Sequence, residues 1–531
     1  MVLNFILALL PIIWLFIAFL VLKMPGYKGC FIALLISIIE SILFKATAFS
    51  DILKGLTVSE ALTASLEGVV TAIWPIGIII IAAMFTYNLC VETGAMDMIK
   101  SMLTSVTNDK RVLVLILAWG FGGFMEAVAG FGTAVAIPAA MMVALGFDPL
   151  FSAIACLIAN AAPPTFGSIG IPTTTAAGLV GMDPLVLSGP AMRMLAIPAF
   201  LSPFIIVWLT GKSQNGKNAF KDMLGFTLLA ALSYVLPALA VAQFVGAEFV
   251  DLAGNTISLV LMVIAARMRK PTADPDYIVD FSENTAGADG SASSAKKPSF
   301  GVVTAWMPYI LMLLFLILSS KLVAPVNAFL AQFTSKVVLY SGEGGATVSL
   351  AWIGNGGVMI FLAGVIGGLI QKASIGTIGK VLADTCRSMW KAIATIIFII
   401  AVAKVMGYSG MTASIATLLA SLTGSMFPLF APIVGIIGTF VTGSTTSSGI
   451  LFAKMQAEVA QQIGANAVQL VAANMAGGAI GKLISPQSIA VAIAAIGLEG
   501  ADGKIMSQTV KYCIAFGVIV CAFSYITAVL I

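Results

Sequence analysis

The chain has 531 residues, 60% of them hydrophobic and only 9% charged, with a net charge of +4 and a mean hydropathy of +1.07. Soluble domains carry about 25% charged residues, so this composition excludes one and points to a chain embedded in lipid. The small net charge, spread singly or over short loops, excludes a nucleic-acid surface, and the absence of histidine leaves any proton chemistry to Asp, Glu, Lys or water. The cysteines (Cys30, Cys90, Cys156, Cys386, Cys513 and Cys521) have apolar surroundings and no CxxC spacing, so they read as core residues; no metal site and no cofactor is expected.

Apolar runs of spanning length, about 20 residues, start at the N-terminus. Residues 2–22 lack a basic flank and a small-residue cleavage site, so we expect a retained first span rather than a signal peptide. Further runs follow at 29–44, 69–90, 112–145, 150–180, 191–210, 224–243 and 249–266, and then at 301–324, 352–370, 392–421, 428–452, 466–496 and 512–531. Several are too long, or too broken by Gly and Pro, to be one helix. The expected class is an all-α polytopic membrane protein with 12–14 spans plus broken or re-entrant segments.

Within the fourth run lies Gly120-Phe-Gly-Gly-Phe-Met-Glu126-Ala-Val-Ala-Gly-Phe-Gly132-Thr133. A charge at bilayer depth costs about 2.5 kcal/mol or more, so Glu126 needs a partner, water or a proton. It is the candidate proton carrier; the alternative is a helix-capping Glu at the membrane surface. Glu40, alone on the simpler second span, carries less of a functional signal. The glycines around Glu126 also suit close helix packing.

Next comes Asn160-Ala-Ala-Pro-Pro-Thr-Phe-Gly167-Ser168-Ile-Gly-Ile-Pro172-Thr173-Thr174. It has a counterpart in Asn474-Met-Ala-Gly-Gly-Ala-Ile-Gly481-Lys482-Leu-Ile-Ser485-Pro486-Gln487-Ser488, in which Asn, Gly and Pro recur at an offset of 314 positions. Paired apolar segments interrupted by Gly and Pro mark the midplane site of secondary transporters built from inverted repeats. The chain therefore divides into a membrane half at 1–266, a linker at 267–300 and a second half at 301–531. The linker is polar and too poor in apolar bulk to order itself.

Basic residues flank the linker and mark several other loops: Lys100, Lys110 and Arg111; Lys212, Lys217 and Lys221; Lys372, Lys380, Arg387 and Lys391. The positive-inside rule places these loops in the cytoplasm and both termini outside. Residues 332–349 then form an extracytoplasmic loop with short extended structure. Arg193 and Lys404 read as interfacial cations, whereas Lys454 is either a counter-charge to an anionic substrate or a snorkelling lysine.

The block Thr439-Phe-Val-Thr442-Gly443-Ser444-Thr445-Thr446-Ser447-Ser448-Gly449 packs hydroxyls around two glycines inside an apolar region. It reads as a broken helix lining a cavity, where free N–H groups and hydroxyls bind an anion; a surface turn is the alternative. Lys482 is either the counter-charge to that anion or a snorkelling lysine. A Walker loop, HExxH and GxSxG are all missing, so neither ATP drive nor hydrolysis is expected.

These residues resemble the bacterial lactate permease family. The resemblance rests on Glu126-Ala-Val-Ala-Gly-Phe-Gly-Thr, Ala-Asn160-Ala-Ala-Pro, Phe-Gly-Ser-Ile-Gly-Ile-Pro172, Thr442-Gly-Ser-Thr-Thr-Ser-Ser448 and Gly-Lys482-Leu-Ile-Ser-Pro-Gln-Ser, and it covers nearly the whole chain. It implies proton-coupled import of L-lactate, often with D-lactate and glycolate, across the cytoplasmic membrane. Thr445 and Gly449 stand where the family pattern often has Asp or Asn, and Lys454 where a small residue is usual. The expected substrate-binding set is Asn160, Ser168, Thr173, Thr442, Ser444, Thr446, Ser447, Asn474, Lys482, Ser485 and Gln487, with Glu126 for the proton. A Na⁺-coupled carboxylate transporter, a passive organic-anion channel and, last, a membrane enzyme or structural subunit remain as alternatives. The sequence gives no oligomeric state.

Overall fold

Glycine and proline, more than charge, divide this chain into its elements. The structure is a computed structural model that describes residues 2–530 apart from 48–50, 131, 215–217, 273, 280–299 and 499. Among the described residues, eleven helices are long and apolar enough to cross a membrane. Shorter apolar helices, including Thr133–Ala144 and Pro149–Ala159, carry runs that the sequence counts toward its 12–14 spans. The polytopic, mainly helical class is as expected. Residues 2–22 are less regular than a single span: helices Val2–Ala8 and Leu10–Phe16 are followed by a wide turn at Ile17–Val21.

The first half includes α1 (Gly26–Thr47), α2 (Val58–Thr71), α3 (Gly122–Val128), α4 (Pro149–Ala159), α5 (Gly167–Leu179), α6 (Pro184–Ser213), α7 (Leu224–Phe244) and α8 (Val250–Met268). The second half includes α9 (Ile375–Tyr408), α10 (Phe427–Thr442), α11 (Thr445–Ile463), α12 (Ala467–Gly481) and α13 (Pro486–Ile496). The helical run Lys110–Val128, which ends in α3, is apolar on all sides between Arg111 and Glu126 and buried from Arg111 onward, as a helix inside the bundle should be. Its glycines let it approach α8 closely: Gly120 faces Leu259 and Met262, and Gly123 faces Asn255.

The tightest contact joins α10 to α12. Gly435 lies on the Asn474 carbonyl, Gly477 on that of Pro432 and Gly481 on that of Ile436, with no room for a Cβ at any of them. Lipid is as apolar as leucine, so helices in a membrane associate through such close packing. Gly477→Ala is expected to destabilise the fold by about 1–3 kcal/mol or more, read as a lower melting temperature and a loss of monodisperse protein in detergent.

Two expectations about the loops meet the structure here. Residues 332–349 do contain extended structure: strands Thr334–Val338 and Thr347–Ala351 pair antiparallel, Thr334 opposite Ala351. The start of the polar linker is more ordered than its composition implies. Tyr277 and Val279 are buried, Val279 N–H donates to the Asn108 carbonyl at 2.9 Å, and the Arg111 guanidinium lies 4.0 Å from the Tyr277 ring centre. A few apolar side chains and one cation suffice to dock this piece; the linker's residues 280–299 lie outside the described residues. Arg111 is accordingly no loop cation, but is buried and paired with Asp109 at 2.8 Å.

Candidate functional site

The first interruption follows α4, which ends at Asn160. A single 3-10 turn, Pro163–Thr165, comes next, and the backbone then passes through left-handed conformations at Ser168 (φ 46°), Ile169 (φ 60°) and Gly170 (φ 72°). Each non-glycine residue held there costs roughly 1–2 kcal/mol, so packing enforces the bend. Gly170 lies against the Ala247 carbonyl, and a Cβ on Gly167 would stand 2.7 Å from Glu126 Oε1. The broken backbone thus abuts the carboxylate directly.

The second interruption spans residues 482–485, between α12 and α13, with Pro486 in the first turn of α13. The first break touches the helix that leads into the second: Thr165 Oγ1 donates to the carbonyl of Met475, inside α12, at 3.1 Å. Their sequence match is closer than their structural match, since Asn160 ends a helix whereas Asn474 lies inside one. The hydroxyl block forms a third break. Gly443 (φ 72°) ends α10 in the left-handed region under the Gln487 side chain, where a Cβ has no space. Ser444 caps α11 by accepting the Ser447 N–H at 3.2 Å, and Thr442 Oγ1 donates to the Gly438 carbonyl at 2.8 Å.

As a result, the N-termini of α11 and α13 both open on one cavity of about 810 Å³. Helix N-termini carry partial positive charge and free N–H groups. Glu126, Ser168, Thr442, Ser444, Thr446, Ser447, Lys482 and Gln487 all line this cavity. On its wall the Lys482 ammonium donates to Glu126 Oε1 at 2.7 Å, and Asn160 Nδ2 donates to Glu126 Oε2 at 3.2 Å. The lysine is therefore turned inward to a carboxylate 356 residues away, not out to lipid headgroups.

The other expected site residues stand behind the cavity wall. Thr173 donates to the Thr165 carbonyl at 2.7 Å and holds the first break in shape. Asn474 accepts from Gln456 Nε2 at 3.4 Å. Ser485 is fully buried, and its hydroxyl has no hydrogen-bond partner among the described residues. Asn160 reaches the cavity only through Glu126. No group of three or more His, Cys, Asp or Glu able to hold a metal occurs among the described residues.

A second buried ion pair was not visible in the sequence. The Lys404 ammonium of α9 lies 2.6 Å from Glu67 Oε1 of α2, and Glu67 is fully buried. Tyr408 donates to the same carboxylate at 2.9 Å, stacks on Tyr340 at 3.8 Å, and accepts the Ala346 N–H at 3.1 Å. The Lys454 ammonium stands 5.6 Å from the Tyr408 ring centre. Lys404 is thus an internal cation, which corrects its reading as an interfacial one, and Lys454 stands beside this network and not on the cavity wall. The network ties the β-hairpin, α2, α9 and α11 together away from the cavity. Asp251 and Tyr234 were also missed, although Asp251 is the one acid within the apolar run 249–266, a signal of the kind that singled out Glu126.

Comparison with known proteins bears on the whole chain. The family described as L-lactate permease matches residues 4–531. An L-lactate permease of Streptococcus iniae is 40% identical, over 87% of this chain and 92% of its own length. The glycolate permease GlcA of Escherichia coli is 34% identical over 98% and 94%. Among solved structures, the Neisseria gonorrhoeae antimetabolite efflux pump MtrF superimposes with a TM-score of 0.51 at 14% identity, over 94% of this chain and 95% of that one. At that identity the likeness concerns the fold alone.

Proposed function

The chain belongs to the L-lactate permease family, and from that premise we propose that it imports L-lactate, with D-lactate and glycolate as further cargo, in symport with protons across the cytoplasmic membrane of a bacterium. The glycolate permease among its relatives supports the wider substrate range. The observation that carries the reading is the Glu126–Lys482 pair, set in a cavity onto which two helix N-termini open.

Lactate, with a pKa near 4 like Asp, arrives as an anion. Moving one negative charge against the membrane potential costs about 2.3 kcal/mol per 100 mV, and a co-transported proton removes that cost. Lys482 and the N–H groups opening α11 and α13 receive the substrate carboxylate; Ser444, Thr446 and Gln487, which line the same cavity, bond its hydroxyl. A carboxylate arriving at Lys482 displaces that of Glu126. An isolated buried carboxylate is less costly neutral than charged, so Glu126 takes up a proton as it is displaced. Substrate and proton then move together. The two halves act as inverted repeats around this site, with both termini outside.

Counterflow of labelled L-lactate in proteoliposomes tests the reading. Unlabelled glycolate and D-lactate are expected to compete and dicarboxylates to fail, with uptake unchanged when choline replaces Na⁺. A requirement for Na⁺, or conductive flux without accumulation, would overturn it.

A further inference from the structure

Asp251 lies at the start of α8, fully buried, one side-chain oxygen accepting the Tyr234 hydroxyl of α7 at 2.8 Å. Its Oδ2 has no hydrogen-bond partner among the described residues. One turn further along α8, Asn255 Nδ2 is likewise buried without a partner, and its side chain lies against Gly123 of α3. Glu126 is on α3, one turn from Gly123, so the two acids border the same α3/α8 seam. The Glu126 carboxylate and the Lys482 ammonium both act electrostatically on Asp251.

The seam continues outward. Glu248 precedes Asp251 by three residues, one turn away, and is only half-buried. It interacts electrostatically in turn with Asp183 and Lys321, an exposed pair 3.2 Å apart. Asp183 caps α6 by accepting the Leu185 N–H, and that bond, with Lys321, holds its carboxyl below the usual range. This end of the seam lies opposite the basic loops, because α6 runs from Asp183 to Lys212 and α8 runs on to Arg267.

We propose that Glu248 and Asp251 are the proton-entry route to Glu126, leading from the face opposite the basic loops to the substrate cavity along the α3/α8 seam. A hydronium ion protonates Glu248; the proton passes to Asp251 Oδ2 and on to Glu126, leaving Glu248 and Asp251 as they began. Tyr234 fixes the Asp251 carboxyl through Oδ1 and leaves Oδ2 for the transfer. The groups acting on Asp251 are Tyr234 from α7, Glu126 from α3 and Lys482 beyond α12, and Glu248 stands one turn before it in the chain. The proposal rests on the symport reading and extends it, since Asp251 does not line the cavity.

Three variants in proteoliposomes test it: Asp251→Asn, Glu248→Gln and, as a reference, Glu126→Gln. Asp251→Asn keeps the shape and the Tyr234 bond. It is expected to lose at least tenfold of the accumulation driven by a pH gradient, while counterflow, which needs no net proton movement, persists. Glu248→Gln is expected to slow proton-driven uptake and shift its pH profile to more acidic values on the entry side. Wild-type accumulation in Asp251→Asn, or parallel loss of accumulation and counterflow in both relay variants, overturns the route. If Glu126→Gln retains pH-driven accumulation, Glu126 is not the proton carrier and the route to it falls with that reading; if only Asp251→Asn retains it, the relay alone fails.

Discussion

Lys482→Met is expected to raise the KM for lactate about 100-fold. The substitution keeps an apolar stem and removes the lysine that pairs with Glu126 in the cavity wall, where Lys23 and Lys391 also line the cavity. A hydrogen bond to a charged group contributes about 1.5–3 kcal/mol, and 1.4 kcal/mol is a factor of ten. The helix N-termini remain and give partial compensation of about 0.3–1 kcal/mol each, too little to restore binding. The variant also leaves Glu126 buried beside Asn160 alone. Breaking a buried pair by removing one partner costs about 3–5 kcal/mol when the other stays charged, so a lower melting temperature is expected as well. The double variant Lys482→Met/Glu126→Gln separates the two effects, because it recovers the thermal stability without recovering the KM. An unchanged KM in the single variant would remove Lys482 from the substrate site.

Where the sequence was informative, it was so because a residue was alone in the wrong solvent. Glu126 and the hydroxyl block stand out against apolar neighbours, and both line the cavity. The broken helices were legible for a related reason: Gly and Pro crowd into runs that lipid would otherwise keep regular. Partners were not legible. The ion pairs Glu126–Lys482 and Glu67–Lys404 each join a carboxylate of the first half to a lysine of the second, and nothing local to Lys404 marks it as internal rather than interfacial. The offset repeat links two segments that do meet, at Thr165 and Met475. It also overstated their equivalence, because a shared Asn says nothing about whether the helix stops there. Asn160, Thr173, Asn474 and Ser485 were drawn into the expected site by polarity alone. In a membrane protein, polarity at depth serves equally to tie one buried backbone to another, as the bond from Thr173 to Thr165 does.

Glu126→Gln is expected to abolish accumulation while making substrate binding independent of pH. In the unsubstituted protein the ionised Glu126 holds Lys482 at 2.7 Å, where two unit charges attract by about 6 kcal/mol at an effective dielectric constant near 20. An incoming carboxylate cannot overcome that attraction and also leave Glu126 charged and unpaired; the exchange is near neutral only when a proton settles on Glu126. Binding therefore takes up a proton wherever the free protein holds Glu126 ionised. By linkage, apparent affinity weakens about tenfold for each pH unit of increase in that range. The glutamine carries no charge to compete for the lysine, so the slope disappears and affinity at high pH rises above that of the parent. Coupling disappears with it: a gradient of one pH unit, which supports about a tenfold lactate gradient at one proton per substrate, then supports none. Counterflow KM values measured at equal pH on both sides give the slope, and steady-state uptake under an imposed gradient gives the coupling. A variant that still concentrates lactate along a pH gradient would show that the proton travels on another group.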